Sequence, residues 1–425
     1  MRLQLTSAFL LIILLVAAKG AAETPPPSPP EARPADAGSP DAAKPDATSP
    51  TSPPQTEARP AAPRRIAGRL RGELAAYTDS DHVDVVTPSL SLDLADATQG
   101  WSAHADYLVD AVSAASVDIV SSASRHWTET RQAGGAQATF KPGDLGVGAA
   151  GSFSSEPDYL AWATGGTVTL DLDQKNLTLL AGYGYGHDTI GRSGTPFSVF
   201  SHSLTRNAFN GAVTIVMDPA TIVVIGGDLI LERGDQSKPY RYVPLFSPGV
   251  AAGIAPGTSI DDVNRLRLQE RPLEQLPLAR DRYAAWGRYL HRYAHATLRL
   301  EERLYTDTWG LHASSSDARF MIDRGDRWLL ASHVRFHAQS PVSFWQRAYT
   351  LTDAGVPALR TGDRELGPLW SATGGIGVRW KGGRPQPTGW SIGGDLDVTW
   401  TSFLDDLYIG SRLAGIATFV WETDL

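Results

Sequence analysis

The sequence lacks cysteine entirely: none of its 425 residues is a Cys. This absence excludes disulfides, Cys-ligated zinc, iron–sulfur centres, covalently attached c-type haem and lipid attachment at an N-terminal Cys. Beyond residue 20 there is also no run of about 18 apolar residues, which excludes membrane-spanning helices. Charged residues make up only 20% of the chain and the net charge is -8, so nothing indicates nucleic-acid binding.

The first 64 residues predict two segments that precede the folded part of the chain. Residues 1–22 have a basic start at Arg2, a short apolar core and small residues before a cleavage expected after Ala22, which predicts a signal peptide. A short membrane anchor is the alternative. Residues 23–64 are rich in Pro and Ala and hold no aromatic residue, so they predict a disordered periplasmic linker, either a plain spacer or a tether.

From residue 65 the hydrophobic pattern has a period of two, which is typical of β-strands. Residues 390–400 (WSIGGDLDVTW) carry apolar side chains on one face, with an indole at each end, and small, polar or acidic side chains on the other. A tilted strand needs about 9–11 residues to cross a bilayer, and aromatic side chains mark its two interfaces. Residues 413–421 end in aromatic side chains on one face in the same way. The predicted interface girdle therefore contains Trp390, Trp400, Phe419 and Trp421.

Soluble β-sandwiches also alternate, but the length of the segments, the charges on their polar faces and the preceding signal peptide favour a membrane barrel. We predict an all-β fold for residues 65–425, a closed antiparallel transmembrane β-barrel of about 16 strands of the outer-membrane type. Eighteen strands stay open, because residues 340–352 could add a strand pair and Pro88 interrupts the second strand. The predicted strands are 67–78, 83–94, 100–111, 124–140, 145–154, 159–171, 176–187, 202–217, 221–233, 280–293, 296–307, 309–321, 327–339, 366–380, 388–401 and 406–421.

The connections between these strands alternate in length. Short turns follow the even-numbered strands, and the long loops 188–201, 234–279 and 340–365 follow odd-numbered strands. This pattern and the even strand count predict that both termini are periplasmic in the outer membrane of a Gram-negative cell. Within the second long loop, Ser259 before apolar residues at helical spacing predicts a short helix, with an irregular solvated loop as the alternative.

Charged residues on the non-apolar strand faces predict the lining of a lumen. Facing stripes of opposite charge would give a transverse field across a water-filled pore, whereas a salt-bridge network would fill a plugged lumen. The cationic candidates are Arg299, Arg303 and Arg335, and the anionic candidates are Asp228, Glu301, Asp395 and Asp397. A second dense cluster in the loop 340–365 either folds inward as a constriction or packs on itself outside the barrel. Its members are Phe344, Trp345, Arg347, Arg360, Asp363, Arg364 and Glu365.

No residue pattern indicates catalysis, a metal or a cofactor. His333 and His337 share one strand face, but positions i and i+4 of a strand are about 13 Å apart, too far for one metal ion. No Ser is spaced with a His and an acid in a way that suggests a catalytic triad. The acidic turn around Asp81 is better interpreted as solvated than as a calcium site. We expect the protein not to be an enzyme.

Six segments resemble the uncharacterised bacterial family catalogued as domain of unknown function 3570, a group of outer-membrane barrels. They are YLVDAVSAASVDIV at 107–120, SSEPDY at 154–159, YGYGHDTI at 183–190, RPLEQLPLARDRY at 271–283, FWQRAY at 344–349 and RTGDRELGP at 360–368. The resemblance covers essentially residues 66–425 and implies a barrel and its location more than a mechanism. Relatives are often encoded near thioredoxin-like proteins and flavin-transferring enzymes, which implies a role in extracytoplasmic electron transfer.

The sequence thus predicts a porin-like conduit for small solutes, with a barrel scaffold or sheath for an electron-transfer or export partner as the alternative. The expected partners are outer-membrane lipid and the barrel assembly machinery, which would recognise either Leu425 or the nearby Phe419 and Trp421. A periplasmic partner would bind through the linker 23–64.

Overall fold

The computed structural model describes residues 66–114, 127–382 and 389–425, so the predicted signal peptide and linker lie outside the described residues. Sixteen long strands form one closed barrel in which every neighbouring pair is antiparallel. The barrel closes where the first strand pairs with the last, with Leu74 opposite Phe419. This confirms the predicted fold class and the strand number.

The strands are joined by turns and, within the described residues, by three longer loops. The barrel strands are β1 (Ala67–Asp79), β2 (Val83–Asp96), β3 (Trp101–Ala114), β4 (Trp127–Phe140), β5 (Leu145–Glu156), β6 (Tyr159–Leu172), β7 (Leu177–Ile190), β8 (His202–Asp218), β9 (Thr221–Gly234), β11 (Ala279–Arg292), β12 (Ala296–Asp307), β13 (His312–Arg324), β14 (Trp328–Gln339), β16 (Leu369–Gly382), β17 (Trp390–Phe403) and β18 (Ser411–Asp424). Two short strands, β10 (Leu245–Phe246) and β15 (Tyr349–Thr350), pair in parallel outside the barrel.

Helical structure in the described residues is limited to short pieces in the connections. They are the helices α1 (Pro248–Ala251) and α2 (Ile260–Leu266) and the 3-10 turns Asp173–Lys175 and Arg364–Leu366. The Ser259 side chain accepts a hydrogen bond from the backbone N–H of Asp262, which confirms the predicted cap of a short helix. None of the helices is long and apolar enough to span a membrane.

The two features that left the strand number open have simple structural explanations. Residues 340–352 add no strand to the barrel, and only Tyr349–Thr350 is extended there. Pro88 lies within β2 opposite Leu74, at a gap in the β2–β3 pairing between Val86 and Ser89. A proline cannot donate to the sheet, so the strand tolerates it where the pairing is interrupted.

Strict alternation gives the wall two chemically different faces. The outward face carries exposed large apolar and aromatic side chains, and all four predicted girdle residues lie there, with Trp390, Trp400, Phe419 and Trp421 between 38% and 55% exposed. The Trp390 ring makes an edge contact with Trp380, with 4.9 Å between their centroids. The opposite side chains of the same strands point inward and carry most of the ion pairs.

The barrel has two different ends. The start of β1 and the C-terminal residue lie at one end, the terminal end, where the Leu425 N–H donates to the Gly68 carbonyl at 2.9 Å. The turns at the terminal end are short. At the other, the loop end, lie the long connections 191–201, 235–278 and 340–368, in the alternation that the sequence predicts.

Candidate functional site: the lumen wall and the loop cap

The seven residues predicted to line the lumen all lie on the inward face of their strands. Arg303 pairs with Asp228 at 2.8 Å, and Arg299 pairs with Glu301 at 2.7 Å. Both pairs are local. Arg299 and Glu301 lie on the same strand, and only β11 separates the strands of Asp228 and Arg303. These four residues therefore form local ion pairs on one wall, with no facing stripe of opposite charge between them.

The other three predicted lining residues are less neutralised. Asp397 contacts His333 Nδ1 at 2.9 Å. Arg335 and Asp395 are both exposed to the lumen, and neither has an ion pair with any residue in the described ranges. Unpaired charges of this kind are available to a solute, whereas the paired ones mainly order the wall.

The two longest connections fold together at the loop end. We call residues 235–278 and 340–368 the loop cap. The pairing of β10 with β15 joins the two segments, and Val243, Leu245 and Tyr349 form a small apolar core within them. The largest apolar side chains that are fully buried in the described residues, Tyr349 and Phe246, belong to this cap. The loop cap is thus a folded unit with its own core.

Charged residues reinforce the interior of the loop cap. Arg241 donates to Asp363 at 2.8 Å and lies 3.2 Å from Glu274, so one guanidinium bridges the two segments. Burial would raise the pKa of the Asp363 carboxyl, but the Arg241 guanidinium holds that pKa well below its usual range. The Thr361 hydroxyl donates to Glu274 at 2.6 Å. The two segments are therefore joined by polar as well as apolar contacts.

The predicted constriction cluster belongs to this cap. Phe344 and Trp345 pack on a core formed around Trp309, and Trp345 Nε1 donates to the Asp405 carbonyl at 3.2 Å. Arg347 pairs with Asp405, and Arg360 donates to the Leu273 carbonyl at 2.8 Å. The cluster therefore packs against both the rest of the cap and the rim of the barrel.

The remaining members attach the cap to the wall. Arg364 forms a buried ion pair with Asp81, in the turn between β1 and β2. The carbonyl of Glu365 accepts a hydrogen bond at 2.8 Å from the inward-facing side chain of Gln339. On the other side of the rim, Tyr240 donates to Asp158 at 2.8 Å, in the turn between β5 and β6. Contacts on opposite sides of the rim mean that the cap extends across the mouth.

The burial of Asp81 corrects the expectation that the acidic turn is solvated. The acidic turn is not simply solvated: Asp81 is only 5% exposed and Arg364 only 4%. The neighbouring Asp79 accepts from the backbone N–H groups of Asp81 and Val83 at 2.9 and 3.0 Å. The carboxylates of this turn therefore have structural roles. Asp81 pairs with a distant arginine, and Asp79 accepts hydrogen bonds from the backbone of the turn.

Sequence reasoning missed a buried charged network at the loop end of the inward face. Asp188 and Glu232, each 1% exposed, flank the Arg206 guanidinium, and Arg282 approaches Glu232 at 2.9 Å. Strand parity places each of these residues inward, which was a usable signal. Their pairing depends on the relative register of β7, β8, β9 and β11, which one strand's pattern does not contain.

In the described part of the chain, one group of three carboxylates has oxygen atoms close enough for a shared metal ion: Glu129, Glu156 and Asp158. All three also make other polar contacts, Asp158 with Tyr240 among them. His333 lies between Asp317 and Asp397 and uses a different ring nitrogen for each. That geometry orients the imidazole and does not gather ligand atoms at one point.

One protein family matches this chain. The sequence profile described as "Protein of unknown function (DUF3570)" matches residues 124–386, more than half of the chain, and leaves the segment 107–120 outside the match. A comparison with the curated proteins found no match.

Among solved structures, OccK5 (OpdH) of Pseudomonas aeruginosa is 10% identical, with 85% of this chain and 98% of that chain covered and a TM-score of 0.39. A Pseudomonas aeruginosa FadL homologue is 11% identical, with 85% and 90% covered and a TM-score of 0.38. A bacterial polysaccharide outer membrane secretin is 9% identical, with 84% and 97% covered and a TM-score of 0.40.

Proposed function

The chain belongs to the family of proteins of unknown function (DUF3570), and on the geometry of its barrel we propose that it is a porin-like outer-membrane conduit for small polar solutes. The observation that carries this proposal is the charged inward face of a closed wall of sixteen strands. Barrels of about 16–18 strands are wide enough to hold an aqueous channel. Charged groups such as Arg335 and Asp395 need water beside them, because isolated charges are costly in an apolar medium. The proposal contains no catalytic step.

The outward face supports a place in the lipid bilayer. Its apolar side chains and its aromatic residues, such as Trp400 and Phe419, suit hydrocarbon and the two membrane interfaces. We propose that the termini face the periplasm and that the loop end faces outward, since short turns are typical of the periplasmic side. An epitope placed beside Val199, 76% exposed in the loop 191–201, should be accessible on intact cells. Labelling only after permeabilisation would contradict this orientation.

The loop cap supports a gated channel, since it extends across the mouth and has its own core around Tyr349. In this proposal, solutes enter the lumen when the cap loosens from the rim. The buried pair between Arg364 and Asp81 is one of its attachments.

Planar-bilayer recording of the full chain tests the proposal. We expect discrete conductance steps, and more frequent or larger steps from the Arg364→Gln variant, whose cap has lost one attachment. A shift in electrophoretic mobility on heating would show beforehand that each preparation is folded. No steps from either folded protein would contradict a channel.

The nearly complete burial of Asp188, Arg206 and Glu232 favours a second candidate, a barrel that acts mainly as a scaffold. A wall filled by its own ion pairs can hold a partner in place without conducting. In that case the partner would bind at the periplasmic side, with the linker 23–64 as its tether. Co-purification in mild detergent, with and without residues 23–64, distinguishes the two: a partner lost with the linker supports the scaffold, and a partner-free conducting barrel supports the channel.

A further inference from the structure

Four adjacent strands of the wall, β11 to β14, each contribute an inward-facing arginine to one cluster. Arg299 of β12 lies directly opposite Arg319 of β13. Like charges in directly opposed positions destabilise a sheet, so the pairing of Arg299 with Arg319 lowers the stability of the wall. The neighbouring carboxylates decide whether that charge is neutralised.

The first carboxylate, Glu301, serves two arginines at once. Its Oε2 atom accepts from Arg288 Nε at 2.8 Å and from Arg299 Nη2 at 2.7 Å. A single negative charge therefore faces two guanidiniums. The Nε atom of Arg299 is buried and has no hydrogen-bond partner among the described residues.

The second carboxylate, Asp317, is engaged mainly by a histidine. His333 Nε2 lies 2.7 Å from Asp317 Oδ2, and Arg319 Nε lies 3.5 Å from Oδ1, at the edge of ion-pair contact. Arg335 is the direct cross-strand neighbour of Asp317, yet its exposed side chain makes no ion pair with any residue the structure describes. A third carboxylate, Asp397, reaches the cluster only through His333 Nδ1, at 2.9 Å.

The cluster therefore has four guanidiniums and only two carboxylates in contact with them, an excess of two positive charges. Its two least neutralised members, Arg319 and Arg335, occupy diagonal positions on adjacent strands, with Cβ atoms roughly 7 Å apart. Arg319 is 48% exposed on the lumen side. Two guanidiniums at this spacing can both donate to the oxygens of one carboxylate or phosphate group.

We propose that Arg319 and Arg335 form an anion-binding site within the lumen, which selects small solutes that carry a carboxylate or phosphate group. Arg288 and Arg299 supply the surrounding positive potential, and Glu301 and Asp317 hold the arginine side chains in place. This site rests on the proposed function in one respect, because it needs a lumen that solutes can enter.

A binding titration tests the site directly. The probe is pyranine, a fluorescent pyrene trisulfonate, added to the full chain in non-ionic detergent at low salt. We expect saturable binding that weakens with added salt, and a loss of about tenfold or more in the double variant Arg319→Gln/Arg335→Gln, since two charge-assisted hydrogen bonds disappear.

Arg379→Gln is the matched control, because Arg379 is also inward-facing and only 3.6 Å from its nearest carboxylate, Glu422. It removes one positive charge from another part of the wall, where the double variant removes two, and pyranine affinity should change by less than about threefold. An equal loss in the control and in the double variant would overturn the site, and so would absence of saturable binding to the folded wild type.

Reversal potentials in a KCl gradient separate this inference from the channel itself. The wild type should prefer anions, and the double variant should shift toward cations while it still conducts. If the barrel conducts with unchanged selectivity and unchanged pyranine affinity, the site is wrong and the channel stands. If it does not conduct, the channel is wrong, and the titration alone decides the site.

Discussion

At the residue scale, the buried ion pair between Asp81 and Arg364 joins two distant parts of the chain. The two residues are 283 positions apart in the sequence, and both are almost completely buried. A buried ion pair adds little net stability compared with an apolar pair of the same shape, but the loss of one partner leaves the other charge buried and unpaired. The pair therefore specifies where the loop cap attaches.

Replacement of Asp81 by Asn should release this attachment. Removal of one partner of a buried ion pair costs up to about 3–5 kcal/mol, most of which the cap would avoid by moving Arg364 into water. We expect faster proteolysis within residues 340–368 and larger fluctuations in conductance.

Asp84→Asn is a suitable control for this change. Asp84 lies in the same hairpin, but it is exposed, and among the described residues its side chain bonds to the Thr78 hydroxyl, at 2.7 Å. Its replacement should leave the cap as it is. Equal protease sensitivity in both variants would show that the hairpin, and not the ion pair, holds the cap.

The lowered pKa of Asp363 predicts how the loop cap responds to acid. Its folded-state pKa lies below the ordinary value of about 3.9, so its contribution to stability is complete above that value. The contribution declines as the pH falls below about 4 and is lost once the folded-state carboxyl is protonated. Tryptophan fluorescence should therefore report loosening of the cap only in strong acid.

The Asp363→Asn variant separates this effect from acid effects elsewhere. It should be less stable than the wild type at neutral pH, because Arg241 loses the ion pair with this carboxylate. It should also show a smaller further change in acid. Parallel acid profiles for the two proteins would assign the transition to other carboxyl groups.

Single residues could be assigned to a face from the sequence, but not to a partner. Parity alone placed Arg299, Arg303 and Asp228 inward, because successive side chains of a strand alternate between faces. It did not reveal that Arg303 and Asp228 would meet across β11. Ion pairs between strands depend on register, which is a property of two segments together.

At the element scale, the turn after β6 has a conformation that glycine would adopt more easily. Asp173, Gln174 and Lys175 have φ values of 48°, 54° and 73° in succession. Each left-handed non-glycine residue costs roughly 1–2 kcal/mol. This short turn therefore keeps the connection tight at the expense of backbone strain.

Gln174→Gly should increase the stability of the barrel, by up to about 1 kcal/mol, as the relief of strain exceeds the gain in unfolded-state entropy. Urea titration followed by the mobility shift of the folded barrel measures the change. The same substitution at Gln99, in the turn after β2, serves as the control, since Gln99 does not have a positive φ. Gln99→Gly should be neutral or slightly destabilising; stabilisation at both turns would argue against strain at Gln174.

The barrel strands were predictable because each carries its own signal. A period of two over 12–17 residues requires no knowledge of any other segment, and turn residues mark the ends. The loop cap was not predictable in the same way. The pairing of Leu245–Phe246 with Tyr349–Thr350 joins segments about a hundred residues apart, and neither is long enough to show a period.

At the scale of the whole molecule, the barrel and the loop cap divide two roles. In the proposed channel, the wall would determine which solutes can pass, and the cap would control entry at the loop end. Replacement of residues 342–366 by a short Gly/Ser linker should therefore increase single-channel conductance at least severalfold and leave ion selectivity nearly unchanged, because Arg319 and Arg335 remain in place.

Shortening of the loop 191–201 provides the comparison for that deletion. The described hydrogen bonds that leave this loop go to the Asp158 carbonyl and to Tyr240, so its loss should change conductance far less. Reduced conductance in the cap deletion, with the barrel still folded, would mean that the cap supports the lumen and does not restrict it.

The position of the Asp81–Arg364 contact also has a consequence for biogenesis. Asp81 is made early, within the first hairpin, and Arg364 enters just before the fourteenth barrel strand. The two can meet only after the growing sheet has curled round and its opposite edges have joined. Formation of this contact would therefore be a late event in insertion, and its protection from protease would mark the molecules that have finished assembling.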